Sequence, residues 1–312
     1  MRSVLVGEVR SAEHALCGLL RAGEPPVAIF TTDVNQVRRS SGMGPDYYCD
    51  LVALGEDHGI DTHVVADLED VSDLMSALEP DLLWIMGWPY LVRCTILELG
   101  VCVGMHPAPL PRRRGGAPMN WTIIDGETSS AVTLFRMGPG IDDGDILAQR
   151  AFGISEADYV ADVAGSVYVL TEELVSESVV ELRDQRARWS PQDHSKATYT
   201  RRRRPADGHI EWGDSSVRVR NLVKATSRPF PGAFSKLGDE VVRIWRAELP
   251  LGYRAPLRAA PGTIIEATDL GVMVSTGDNA LLVTEVQFKG EPAAILREAG
   301  SRVAEHTGNK FC

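Results

Sequence analysis

Along the first 195 residues, short apolar runs alternate with segments of helical spacing. Ser3–Val6, Val27–Thr31, His63–Val65, Leu82–Met86, Val101–Val103 and Ala131–Arg136 read as strands. Between them, Ala12–Ala22, Tyr48–Asp57 and Val71–Leu78 read as helices, and Gly59 stops the second. Ala157–Arg186 is one long helical stretch, interrupted only by Gly165. Strands alternating with helices predict an α/β fold, a Rossmann-like parallel sheet with helices on both faces. The pattern then changes. Ser190–Asp207 is polar, holds Pro191 and Pro205, and carries the run Arg201–Arg204, so it reads as a linker. Beyond a helix at Val217–Ala225, the runs Val241–Ala247, Gly262–Ala267, Gly271–Ser275 and Ala280–Val286 are rich in β-branched residues and separated by glycine turns. That spacing predicts a small antiparallel barrel or sandwich. The organisation expected is a first domain at 1–189, a linker at 190–207 and a C-terminal domain at 208–312, with Arg302–Cys312 frayed.

A length of 312 residues agrees with two domains, and 44% hydrophobic against 24% charged residues is the mix of a globular protein. No run approaches the roughly 18 apolar residues of a membrane span, and Met1–Glu8 is too short an apolar start for a signal peptide. A cytoplasmic protein with no membrane partner is expected. The five cysteines form no CxxC pair and read as free thiols in a reducing compartment. His194 and His209 stand alone, so no metal is expected. The net charge of -11 argues against nonspecific nucleic-acid binding. It is unevenly spread: residues 1–195 hold fourteen arginines and no lysine against thirty acids, a charge of -16, while residues 196–312 carry +5.

No GxGxxG, GxxxxGK[ST] or GxSxG motif occurs, which lowers the nucleotide-loop and serine-hydrolase readings. Two segments that follow strands are denser in chemistry. In Gly104–Trp121 a histidine, His106, is pinned among prolines where open parallel sheets place their sites. Position alone does not separate a catalytic histidine from one that caps a loop. In Arg136–Ala148, Asp142, Asp143 and Asp145 lie among glycines; an EF-hand would need more ligands and a closing glutamate, and a solvated acidic turn is the plain alternative. A contact between Asp142 and His106 would favour the charged imidazole.

Met105–Pro118 resembles the loop of folate-dependent formyltransferases. Asp125–Thr128 and Gly140–Leu147 continue the likeness at matching spacing. Glu79–Leu83, Ala206–Trp212, Arg228–Phe234, Ile244–Glu248 and Pro261–Ile264 extend it over nearly the whole chain. The resemblance implies a Rossmann-like catalytic domain, a linker and a small OB-like barrel, in a transferase that moves a formyl group from N10-formyltetrahydrofolate to a primary amine. It implies His106 as an imidazolium that stabilises the tetrahedral oxyanion and protonates the departing folate nitrogen. Asp142 would hold His106 charged and accept the proton of the attacking amine. The pterin is expected in a slot made mainly by backbone near Trp88, Tyr90, Leu91 and Val92 and the loop that holds Gly138 and Ile141. One position departs from the family: Gly104 stands where it has an asparagine, and losing one oxyanion donor typically costs roughly 10²–10³ in rate. Three alternatives follow: a backbone N–H, a water or Asn120 substitutes; the reaction is a variant one on an unusual acceptor; or the chain is impaired.

Methionyl-tRNA formyltransferases are similar in the barrel, and they carry a basic insertion after the second strand. Here Asp33–Asp46 holds two arginines and no lysine, so tRNA is the unlikely acceptor. Arg201–Arg204 would contact phosphate or simply be solvated. Ala117–Trp121 and Arg228–Phe234 are closer to formyltransferases of nucleotide-linked amino sugars, which implies Arg114 and Asn120 as substrate residues. The expectation is therefore one-carbon transfer to a small-molecule amine, an amino sugar or an antibiotic-pathway amine of secondary metabolism. A homodimer is compatible with it. The alternatives are methionyl-tRNA formylation, a hydrolase that releases formate, and a non-catalytic folate binder.

Overall fold

The first apolar run, Ser3–Gly7, is buried along its whole length as strand β1, an interior strand of a seven-stranded sheet. The computed structural model describes residues 1–36, 43–88, 90–250, 252, 259–288, 290, 294–295 and 308–312. Arg38, Arg39, Pro89 and the stretch 302–307 of the expected frayed end therefore lie outside the described residues. The chain divides into two units. The first comprises Met1–Pro118, Ser129–Ile154 and Asp162–Arg202; the second comprises Met119–Thr128, Ser155–Ala161 and Arg203–Cys312.

In the first unit, β2 (Ala28–Thr31), β3 (Asp61–Val64), β4 (Leu82–Met86) and β5 (Val101–His106) are parallel to β1, in the order β3-β2-β1-β4-β5. Val4, Val6, Ala28, Phe30, Leu83 and Ile85 share one face and pack on Met75 and Ile96. The helix α1 (Arg10–Arg21) buries Ala12, Ala15, Leu16 and Leu19, a stripe at helical spacing. The next helix, α2 (Leu51–His58), begins at Leu51 rather than at Tyr48. Tyr48 is instead buried as a bridge partner of Val9, and Asp50 caps the helix by accepting from Ala53 N at 3.1 Å. Gly59 ends it with φ 65°, a left-handed turn that suits glycine. Shorter helices α3 (Ser72–Ala77) and α4 (Cys94–Leu97) follow.

From β1 the chain builds β2 and β3 on one side, then returns to add β4 and β5 on the other. The order reverses between β1 and β4, the place where such sheets hold ligands beyond their strand ends. The sheet is not parallel throughout. β7 (Ser129–Arg136) and β8 (Ile146–Gly153) run antiparallel, and the segment 137–145 between them is shorter than the roughly dozen residues a parallel crossover needs. The segment read as a linker is structured up to Arg202: Ser190 bridges Ile146, and β9 (Tyr199–Thr200) pairs in parallel with β6 (Arg114–Gly115). Residues 190–202 thus form a strap within the first unit. Its long helix, α6, spans Val160–Arg183; α5 (Pro118–Ile124) precedes β7.

In the second unit, α7 (Ser216–Thr226) accompanies β10 (Ala233–Leu237), β11 (Glu240–Glu248), β12 (Ile264–Thr268), β13 (Gly271–Ser275) and β14 (Ala280–Phe288). They form an antiparallel sheet of order β10-β11-β14-β13-β12, with β15 (Ala294–Ile295) on β14. The end of the chain is ordered where fraying was expected. Lys236 and Cys312 exchange backbone hydrogen bonds of 2.9 and 2.8 Å, while Ile264 N donates to Asn309 O at 3.0 Å. Residues 309–312 therefore join the two edge strands, β10 and β12, and close the barrel. Phe311, 1% exposed, stacks on Trp212 with ring centroids 5.4 Å apart.

Candidate active site

His106 is the last residue of β5, paired with Thr133 of β7, and is 5% exposed. The loop after it is held by side chains of the antiparallel strands. Thr133 Oγ1 donates to Ala108 O at 2.7 Å, and Gln149 Nε2 donates to Leu110 O at 3.0 Å. The loop then turns back so that Arg113 O lies 2.7 Å from His106 Nε2. A carbonyl only accepts, so this contact assigns the proton to Nε2 and leaves Nδ1 as the functional nitrogen. Nδ1 lies 3.5 Å from Asp142 Oδ2. Burial pushes the His106 pKa below its ordinary value, while the Asp142 carboxylate and the Arg113 carbonyl push the other way. Both ring nitrogens thus face acceptors, Arg113 O and the Asp142 carboxylate, while burial opposes the charge that these two favour.

Asp142 lies on the 137–145 hairpin with φ 49°, a conformation unusual for a residue with a side chain. Its Oδ2 accepts from Gly115 N at 2.7 Å. Gly144 lets the hairpin close, since a Cβ there would meet the Arg136 carbonyl oxygen. The structure thus brings together His106 and Asp142, two residues expected from the sequence.

The other expected residues divide. A Cβ on Gly104 would stand 3.0 Å from Met137 Cγ and 3.1 Å from Met137 Sδ and Phe135 Cε1. Apolar atoms fill the place where an amide donor was sought. Tyr90, Leu91 and Ile141 expose their apolar side chains, and nothing comes within 4 Å of a Cβ on Gly138, so these positions are open to a flat, partly apolar ligand. Trp88 meets Tyr90 edge to face, with centroids 5.8 Å apart. The Val92 side chain packs in the core with Ile96.

Arg114 and Asn120 require correction as substrate residues. Arg114 is 2% exposed, and its guanidinium is taken up by Gln192 Oε1, Tyr199 OH and His194 Nδ1. Asn120 Nδ2 donates to Ala225 O at 2.7 Å within the second unit, which commits that donor to the fold. Sequence reasoning passed over Gln192, Thr198 and Tyr199, which bind this loop from the strap. Thr198 Oγ1 accepts from Arg113 N at 2.9 Å, and Thr198 O accepts from Arg114 N at 2.9 Å. Polar composition marked their segment as linker, and nothing local distinguishes them. Among the described residues, no group of three or more His, Cys, Asp or Glu is arranged to hold a metal ion.

A family model described as formyl transferase matches residues 14–179, and one described as formyl transferase, C-terminal domain, matches residues 203–299. A methionyl-tRNA formyltransferase of Alkaliphilus oremlandii is 26% identical over 300 residues, covering 96% of this chain and 95% of that protein. Among solved structures, HypX of Aquifex aeolicus in complex with tetrahydrofolic acid superposes with a TM-score of 0.67 at 18% identity. That match covers 98% of this chain, which spans about half (48%) of the HypX chain. An N-formyltransferase of Helicobacter canadensis, in complex with folinic acid and dTDP-3-aminofucose, superposes with a TM-score of 0.66 at 18% identity, covering 91% and 98% of the two chains.

Proposed function

The chain belongs to the formyl transferase family, enzymes that transfer formyl groups, and on that premise we propose that it formylates a primary amine of a small molecule, an amino sugar being the favoured acceptor. The donor is N10-formyltetrahydrofolate, which supplies the formyl group and leaves as tetrahydrofolate. The observation that carries the reading is a buried His106 at the end of β5, anchored through Nε2 on Arg113 O, with Nδ1 facing Asp142. The neutral amine bonds to the formyl carbon, and His106 Nδ1 takes the proton that the amine gives up. The Asp142 carboxylate stabilises the imidazolium so formed, and His106 returns the proton to N10 as the N10–C bond breaks. The exposed apolar side chains of Tyr90, Leu91 and Ile141 support a pterin nearby. Met137 beside Gly104 offers the oxyanion no polar side-chain donor, which supports a site that relies more heavily on the proton path through His106.

The lysine-free, acidic first 195 residues support a small acceptor over tRNA. Methionyl-tRNA is the second reading, favoured by the relative that matches along 96% of the chain. The deciding experiment mixes the protein and N10-formyltetrahydrofolate with nucleotide-linked amino sugars, free amines or methionyl-tRNA, and follows the products by mass spectrometry. Formylation of an amino sugar is expected. Preferential formylation of methionyl-tRNA replaces that acceptor, formate release without an amine points to a hydrolase, and binding without turnover points to a folate-binding protein.

A further inference from the structure

Gln192, in the strap, is 5% exposed and uses both ends of its amide. Nε2 donates to Asp142 O at 2.9 Å and to Gly144 O at 2.7 Å. Oε1 accepts from Arg114 Nη2 at 2.7 Å and Nε at 3.2 Å. The orientation of the amide follows from the partners, since carbonyls only accept and a guanidinium only donates. Arg114 is buried with Tyr199 OH and His194 Nδ1 as its other partners, and no carboxylate lies within ion-pair distance of it among the described residues. A buried cation held by dipoles and by the Tyr199 ring, 5.9 Å from its centroid, polarises its partners strongly, and here it strengthens the donation from Gln192 to the two carbonyls. Those carbonyls belong to the hairpin that carries Asp142 at φ 49°. A conformation of that kind persists where its surroundings over-determine it.

We propose that Gln192 is a positioning residue: clamped by Arg114, it holds the Asp142 hairpin so that the carboxylate meets Gly115 N and faces His106 Nδ1. The chain of contacts is continuous. Arg114 grips Gln192, Gln192 grips the backbone of Asp142 and Gly144, and the Asp142 side chain reaches back to Gly115, the residue next to Arg114. The strap thereby ties the His106 loop and the Asp142 hairpin into one body. The consequence for turnover rests on the formyl-transfer reading; the geometric role does not.

Gln192→Glu separates this role from a purely structural one. The carboxylate keeps the side-chain length and gains an ion pair with Arg114, but offers Asp142 O and Gly144 O only oxygens. The expected result is an unchanged or raised melting temperature and a kcat at least tenfold lower with the best amine found. KM for N10-formyltetrahydrofolate should stay within about threefold. Deuterium exchange in residues 138–145 should become at least tenfold faster. Unchanged exchange there, a kcat within twofold of wild type, or a KM rise without a kcat loss would overturn the proposal. If Gln192→Glu does not fold, Gln192→Met with Arg114→Met removes the buried charge together with its partner and carries the same expectations. A wild-type chain that formylates no amine ends the formyl-transfer reading, and the exchange measurement then still decides the positioning role.

Discussion

At His106 the two ring nitrogens have separate tasks: Nε2 is anchored on Arg113 O, and Nδ1 faces Asp142. Burial lowers its pKa from the ordinary histidine value, so the ring gives up its proton at a lower pH than an exposed histidine. A base must be unprotonated to work, so kcat/KM should be level above about 6.5 and fall on the acid side below it. Asp142 raises this pKa, so Asp142→Asn should move the acid limb of the profile to still lower pH while cutting kcat by about 10² or more. An acid limb that stays in place in Asp142→Asn would show that the two groups are not coupled. At Gly104 the neighbour decides the outcome. Gly104→Asn pushes on Met137 and should cost about 1–3 kcal/mol in denaturant unfolding, and adding Met137→Ala should recover most of it. Independent, additive effects would mean that the two side chains do not compete for that space. His106 and Asp142 were legible because they sit in Met105–Pro118 and Gly140–Leu147, the segments that resemble the formyltransferase family; their positions alone did not single them out. Arg114 and Asn120 were misread because an arginine or amide looks the same in sequence whether it meets a ligand or a buried carbonyl.

Among the elements, the central strands and α1 follow directly from apolar spacing, since each buries a face that the sequence writes out locally. The strap and the barrel closure do not. Residues 190–202 and 309–312 are polar or lie at the chain end, and their order comes from backbone hydrogen bonds to strands distant in sequence. The closing segment is anchored by Phe311, so Phe311→Ala should destabilise the protein by about 3–5 kcal/mol in chemical denaturation. A loss below about 1 kcal/mol would mean that the segment only lies against the barrel. The antiparallel β7–β8 pair was likewise unforeseen, although the shortness of 137–145 is the physical reason for it.

For the whole molecule, charge is the property that selects among acceptors. A chain with -16 over its first 195 residues should show kcat/KM for an amino-sugar acceptor that changes less than about threefold between 50 and 200 mM salt. Recognition through six or more phosphates would instead lose roughly 10³ or more over that range, so a salt titration distinguishes tRNA from a small acceptor. The sequence by itself determined the two-part organisation, the α/β and β-barrel classes and the two residues at the centre of the site. These rest on periodicity, turns and motif spacing, which are relations between neighbours along the chain. Only the tertiary structure decided which nitrogen of His106 faces Asp142, what occupies the space beside Gly104, and that Arg114 and Asn120 serve the fold. Their partners lie far away in sequence, Gln192 at a separation of 78 residues and Ala225 at 105, and a hydrogen bond requires a geometry that exists only once the chain has folded.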